Sequence, residues 1–403
     1  MKRREFISSP AGVLALTGTL KANQQELKKR GKSAILLWMG GGPSTMDIWD
    51  LKPGSPTGGP FKPISTTGDL QICEHMPLMA KQMHNMSIIR SMSTREADHM
   101  RGRYYMHTGY VPNPSMKHPS YGSVVSKQLE RQDVKIPTFI SGNGSSMGAG
   151  FLGSQYAPFV VNSDGRVRNL DIKIDTRFHQ RMYYLDVLET NFINSNRGSM
   201  AKEHQKVLRK SLDVLTSEDM DSLKVESEPE ALKERYGNNS FGKGCLMARR
   251  LVEAGVPFIE VGMGGWDNHQ NIFPTLRDTK LPMLDQGMSA LIEDLEQRGL
   301  LEDTAIIWMG EFSRTPRINA NAGRDHWARS WSVAVGGAGM RGGLAIGETS
   351  SDGTSVESEP YSSQDVMASV CKALGISLKT TFTSNNGRPM RIANAGKVIS
   401  QLF

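Results

Sequence analysis

SAILLWMGGGPSTMDIWD, residues 33–50, runs from a short apolar segment into a glycine turn and then into a polar run ending at Asp50. Ser33 to Met39 reads as a buried strand, and Gly40-Gly41-Gly42-Pro43 breaks it. The same grammar recurs along the chain. Strands are expected at Met86–Arg90, Pro137–Ile140, Phe258–Val261, Thr304–Met309 and Ser332–Val335. Helices are expected over Met76–Met86, 95–108, 120–130, Gly242–Ala254 and Leu284–Arg298. Gly255 with Pro257 closes the Gly242–Ala254 helix, and Gly299 caps the Leu284–Arg298 helix. Strands separated by helices imply an α/β fold with a doubly wound, mainly parallel sheet and helices on both faces. In such sheets ligands bind beyond the carboxyl ends of the strands.

Between about 174 and 252 glycine thins out and charged and apolar residues alternate at helical spacing, which predicts a helical insertion. The remainder reads as a single domain over 33–403. Residues 53–70, Ser141–Gly150 and Ser350–Ser363 have loop composition.

The chain has 403 residues, 38% of them hydrophobic and 22% charged, so it is long enough for a large folded core. The formal net charge is +7, but Lys2, Arg3, Arg4 and Lys21 lie within the first residues. What remains, without any basic run interleaved with aromatics, excludes a dedicated nucleic-acid binder. Cys73, Cys245 and Cys371 are widely spaced and odd in number, which argues against a disulfide framework or a zinc–thiolate site and for buried small hydrophobes. Lys2-Arg3-Arg4-Glu5-Phe6-Ile7, followed by a weakly apolar stretch from Ala11 to Leu20, resembles a twin-arginine export signal over 1–22. That places the protein outside the cytoplasm, periplasmic or extracellular, either released or retained by an uncleaved signal. No later segment is long and apolar enough to span a bilayer.

Four clusters follow expected strands. The first, Gly40 to Asp50, offers the oxygens of Ser44, Thr45 and Asp47. The second is Asp98-His99, with Arg103 and His107 on the same helical face. In the third, Gly264-Gly265-Trp266-Asp267-Asn268-His269, Asp267 and His269 project to one side of an extended loop. They present a hard oxygen and a borderline nitrogen to a divalent ion. The fourth joins Glu311, at the end of the Thr304–Met309 strand, to Arg314 and to Gly323-Arg324-Asp325-His326-Trp327. Carboxylates and imidazoles gathered at one sheet edge need a cation between them. Arg314 or Arg324 would hold an anionic oxygen pair.

Five segments carry a resemblance: GGGPSTMDIWD (40–50), RYGNNSFGKGCLMARRLVEAGV (235–256), GWDNH (265–269), GEFSRTP (310–316) and GRDHW (323–327). In that order they resemble the bacterial family known as domain of unknown function 1501, with Asp365–Gly375 and Gly387-Arg388-Pro389 also in keeping. The family is grouped with the alkaline-phosphatase-like superfamily of phosphatases, sulfatases and phosphomutases. The resemblance implies an alkaline-phosphatase-like α/β domain. It also implies a metal-dependent hydrolase of phosphate or sulfate esters, with a small-molecule or glycan ester as substrate. Its order of functional residues falls on Asp47, the region of His99, Asp267 with His269, Glu311, and Asp325 with His326. The divalent ion would be zinc, calcium, magnesium or manganese. His99 stands where sulfatases carry their modifiable Cys or Ser, so a formylglycine enzyme is not expected, and Ser44 or Thr45 are alternative nucleophiles. A non-catalytic, metal-stabilised binding or scaffold protein is the rival reading.

Overall fold

One sheet holds 8 strands: β1 (Ser33–Met39), β2 (Met86–Met92), β3 (Phe139–Gly142), β4 (Phe159–Val161), β5 (Phe258–Met263), β6 (Thr304–Met309), β7 (Trp331–Gly337) and β8 (Ala345–Ile346). Their order across the sheet is β8-β2-β7-β6-β1-β5-β3-β4. This is a computed structural model, and it describes residues 31–131, 134–142, 146–162, 165, 175–195 and 217–403. The expected export signal over 1–22 lies outside the described residues, as does 196–216 of the expected insertion.

β1 is central, parallel to β5 on one side and β6 on the other. All its residues are buried, which is why it reads as an unbroken apolar run. β7 alone is antiparallel, inserted between β2 and β6. β1, β2, β5 and β6 therefore end at the same edge.

Alternate residues of β1 face opposite cores. Ile35, Leu37 and Met39 belong to one, together with Leu246 and Leu291. These come from helices α4 (Ser240–Glu253) and α5 (Leu281–Gln297), which lie after α1 (His99–Thr108), α2 (Tyr121–Gln128) and α3 (Thr176–Asn194) in the chain. Ala34, Leu36 and Trp38 face the other core, with Met106 of α1, Val125 of α2 and Val370 of α6 (Ser363–Ala373). Side chains set the helix starts: the Asp98 carboxylate accepts from Arg101 N, and the Asn239 amide oxygen from Gly242 N. The three cysteines are free and buried in these cores.

Two expectations are corrected. The helix anticipated over Met76–Met86 is only Pro77–Ala80, followed by a 3-10 turn at Met83–Asn85. Thr67 N and Oγ1 take the carbonyls of Ala80 and Lys81, the acceptors a longer helix would need. The stretch anticipated as an insertion contains α4, which packs on β5 as a flanking helix of the sheet. No helix among the described residues is long and apolar enough to cross a membrane.

Candidate metal centre

The loops after β1, β5 and β6 and the start of α1, which follows β2, meet at the shared edge. A two-residue antiparallel ladder, Ser313–Arg314 against His326–Trp327, folds the chain back so that His326 returns beside the end of β6.

Asp267 is the hub. His269 Nε2 stands 2.9 Å and His326 Nε2 3.4 Å from its Oδ1, and His99 Nε2 stands 3.3 Å from its Oδ2. The far nitrogen of each imidazole is tied down. Nδ1–H of His99 donates to Glu311 Oε1 at 2.7 Å, that of His269 to Asp325 Oδ1 at 2.8 Å, and that of His326 to the Ala97 carbonyl at 2.9 Å. Carbonyls and carboxylates only accept, so each Nδ1 carries the proton and each Nε2 turns towards Asp267. A tethered Nδ1–H with Nε2 facing inward is the arrangement of metal-ligating histidines. Among the described residues, one set of His, Cys, Asp or Glu ligand atoms lies within 4.8 Å of one another: His99, Asp267 and His326. His99 Nε2, His326 Nε2 and Glu311 Oε2 are also buried without a hydrogen-bond partner. Orphaned polar atoms of this kind are few in native proteins, and a cation among them would satisfy both imidazoles.

Charge is arranged to match. Burial pushes the Asp267 carboxyl up, but the Arg314 guanidinium, 2.5 Å away, outweighs it and brings the pKa down to about 2. The His269 bond holds the Asp325 carboxyl below its ordinary value. Burial lowers the pKa of His326, while the Glu311 hydrogen bond raises that of His99.

The glycine turn acts as a bracket. Gly41 N donates to Glu311 Oε1 at 2.9 Å, and the carbonyls of Gly41 and Gly42 accept from Arg314 Nη2 and Nε. At Gly41 φ is +114°, and a Cβ would lie 2.6 Å from Asp267 N, so a side chain there would force the two loops apart.

The structure therefore brings together His99, Asp267, His269, Glu311, Arg314, Asp325 and His326. It corrects four other expectations. Asp47 is not at the cluster: it forms a bidentate pair with Arg324, Oδ2 to Nε at 2.8 Å and Oδ1 to Nη2 at 2.9 Å. The remaining Arg324 donors go to the carbonyls of Thr57, Thr315 and Pro316, so none is left to clamp an anion. Ser44 donates to Asp47 Oδ2 at 2.6 Å. Thr45 donates to Ser313 Oγ and accepts from Ser332 N. Both hydroxyls are buried and engaged, unlike an open nucleophile. Arg314 is likewise engaged, with the glycine turn and Asp267. Sequence reading missed the Ala97 carbonyl and the Phe312 ring, which packs 5.0 Å from His99 and 4.8 Å from His326. A backbone acceptor leaves no compositional signal. Phe312 stood inside the motif beside louder charged neighbours.

Fold and cluster together define an α/β protein with a histidine–aspartate centre at the carboxyl edge of its sheet. The chain belongs to the family described as "Protein of unknown function (DUF1501)", matched over residues 31–403. No curated protein matches its sequence. It is similar to the solved structure of Ps i-CgsB in complex with k-i-k-neocarrahexaose, at 10% identity and TM-score 0.43, covering 86% of this chain and 72% of that one. It is also similar to the PsFucS1 sulfatase from Pseudoalteromonas sp., at 14% identity and TM-score 0.37, covering 88% and 71%. A third likeness is to a TAB5 alkaline phosphatase mutant with Mg bound, at 14% identity and TM-score 0.40, covering 86% and 99%.

Proposed function

We propose that the protein is a metal-dependent hydrolase of anionic esters, phosphate or sulfate, on a small molecule or glycan outside the cytoplasm. The observation that carries this reading is the convergence of three imidazole Nε2 atoms on Asp267, each with its Nδ1–H anchored. His99, Asp267 and His326 hold the divalent ion, with His269 beside them. Glu311, Asp325 and the Ala97 carbonyl orient the imidazoles. When bound, such an ion supplies a Lewis acid that polarises the ester and a means of ionising water near neutral pH. Arg103, one turn along α1 from His99, has a buried Nε without a partner, and its guanidinium is suited to an anionic oxygen pair. Arg314 keeps Asp267 ionised.

A second reading, a non-catalytic protein stabilised by its metal, is favoured by the engagement of Ser44 and Thr45. Elemental analysis of the purified chain beside His99→Ala and His326→Ala, followed by phosphate- and sulfate-ester assays, separates the two. Stoichiometric metal lost in both variants, with turnover lost in parallel, supports the hydrolase. Metal without turnover leaves the stabilised scaffold, and no metal in the reconstituted wild type removes both. Export through the twin-arginine machinery is tested by Arg3→Lys/Arg4→Lys. That double change should hold the chain in the cytoplasm, and unaltered export would refute this route.

A further inference from the structure

Helix α1 carries a second histidine, and this one is buried. His107 lies on the same face as His99, eight residues on, about 12 Å along the axis at 1.5 Å per residue. Its Nδ1–H donates to the Arg103 carbonyl at 2.9 Å, so Nε2 faces away from that turn and stands 3.5 Å from Glu260 Oε1. Glu260 sits within β5, in register with Leu36 of β1 and Ser141 of β3, and has no exposed surface. Neither of its carboxylate oxygens has a hydrogen-bond partner, and His107 Nε2 has none either. The Trp38 ring packs against His107 with centroids 4.1 Å apart.

A carboxylate in a dry core is unfavourable unless an opposite or proton-sharing group faces it. Replacing such a buried polar pair by well-packed apolar side chains is often neutral or stabilising. What they would lack is direction: Glu260 draws one nitrogen of α1 towards one point on the sheet. We propose that Glu260 and His107 are the rear anchor of α1, setting its depth and rotation and, through the rigid helix, where His99 stands in the cluster. The inference rests on His99 being a ligand of the centre.

The packing at mid-helix makes this consequential. At Gly102 an added Cβ would lie 3.1 Å from the Glu311 carbonyl oxygen and 3.1 Å from the Phe312 ring. α1 thus rides directly on the segment that orients His99. A close glycine contact fixes the separation of two elements and leaves sliding along the axis unopposed, and a polar tether five residues further along the helix opposes it. Displacing α1 changes the His99–Glu311 and His99–Asp267 spacings together.

The test compares Glu260→Met, His107→Phe and Glu260→Gln in the full chain. His107→Phe keeps a ring against Trp38 and removes the nitrogen. One readout is zinc affinity by competition. The other is the 15N-histidine spectrum of the metal-free protein, whose His99 signals are assigned by their loss in His99→Gln. Expected is a folded protein whose zinc affinity falls roughly 10-fold or more in Glu260→Met and His107→Phe, the scale of lost outer-sphere support. Their His99 signals should move towards a free imidazole. Glu260→Gln keeps a polar group of the same shape facing Nε2, and its amide can donate to that nitrogen, so it should stay close to wild type in both. Unchanged affinity and spectrum in a folded Glu260→Met or His107→Phe overturn the anchor. A wild type that takes no zinc defeats the metal reading, and the spectrum still decides the anchor.

Discussion

Arg324 and Arg314 are both buried guanidiniums, and their different counter-ions predict opposite phenotypes. Asp47 is 2% exposed and carries the only carboxylate facing Arg324 among the described residues. Removing one partner of a buried pair strands the other charge and costs about 3–5 kcal/mol. Asp47→Asn should therefore lower stability by that order in urea unfolding, while the folded fraction binds metal as the wild type does. A stable Asp47→Asn protein with weakened metal binding would return Asp47 to the ligand set. Arg314 is buried but Asp267 is 45% exposed, so water can enter on the Asp267 side when that charge is removed. Asp267→Asn should cost at most about 1 kcal/mol and abolish stoichiometric metal, read by elemental analysis. The motifs placed both acids after predicted strands. They did not separate ligand from counter-ion, because the partner that decides Asp47 lies 277 residues away.

At the scale of elements, α5 caps the short helix at Pro77–Ala80. Asp285 accepts from Leu78 N at 3.0 Å and from Met79 N at 2.6 Å. Burial nevertheless outweighs these donors and raises its pKa to about 6. A carboxyl whose folded pKa lies above its unfolded value, about 3.9, favours folding at low pH. That contribution is complete below about pH 4 and is lost as pH rises through 6. Two pKa units correspond to about 3 kcal/mol. The stability difference between wild type and Asp285→Asn should drift by roughly that amount against the wild type between pH 4 and 7.5 in urea titrations. A flat difference would mean that Asp285 is not the titrating group. Nothing in the sequence near Asp285 announces this role. The apolar period of its helix was legible, whereas the destination of one inward carboxylate depends on a neighbour two hundred residues earlier.

At the scale of the molecule, the central strands were legible because burial on both faces forces a continuous apolar run, as in SAILLWM and TAIIWM. The edge strands β4 and β8, three and two residues long, are too short to impose such a pattern. The reversed direction of β7 was hidden, since a strand's own residues do not encode which way its neighbours run. The centre inherits this architecture: its histidines come from segments far apart in sequence, so their positions exist only in the folded state. An ion bound there binds the native chain and not the unfolded one, and must stabilise folding by mass action. At a free metal concentration a hundredfold above Kd the gain is about 2.7 kcal/mol, which for a chain of this size raises Tm by a few degrees. Scanning calorimetry with and without chelator should record that rise, increasing with the logarithm of metal concentration. The rise should vanish in His326→Ala, which keeps the fold but removes one converging nitrogen. A wild-type Tm indifferent to zinc, manganese, magnesium and calcium alike would mean that the three imidazoles are held for Asp267 alone, as a hydrogen-bonded cluster that closes the sheet edge.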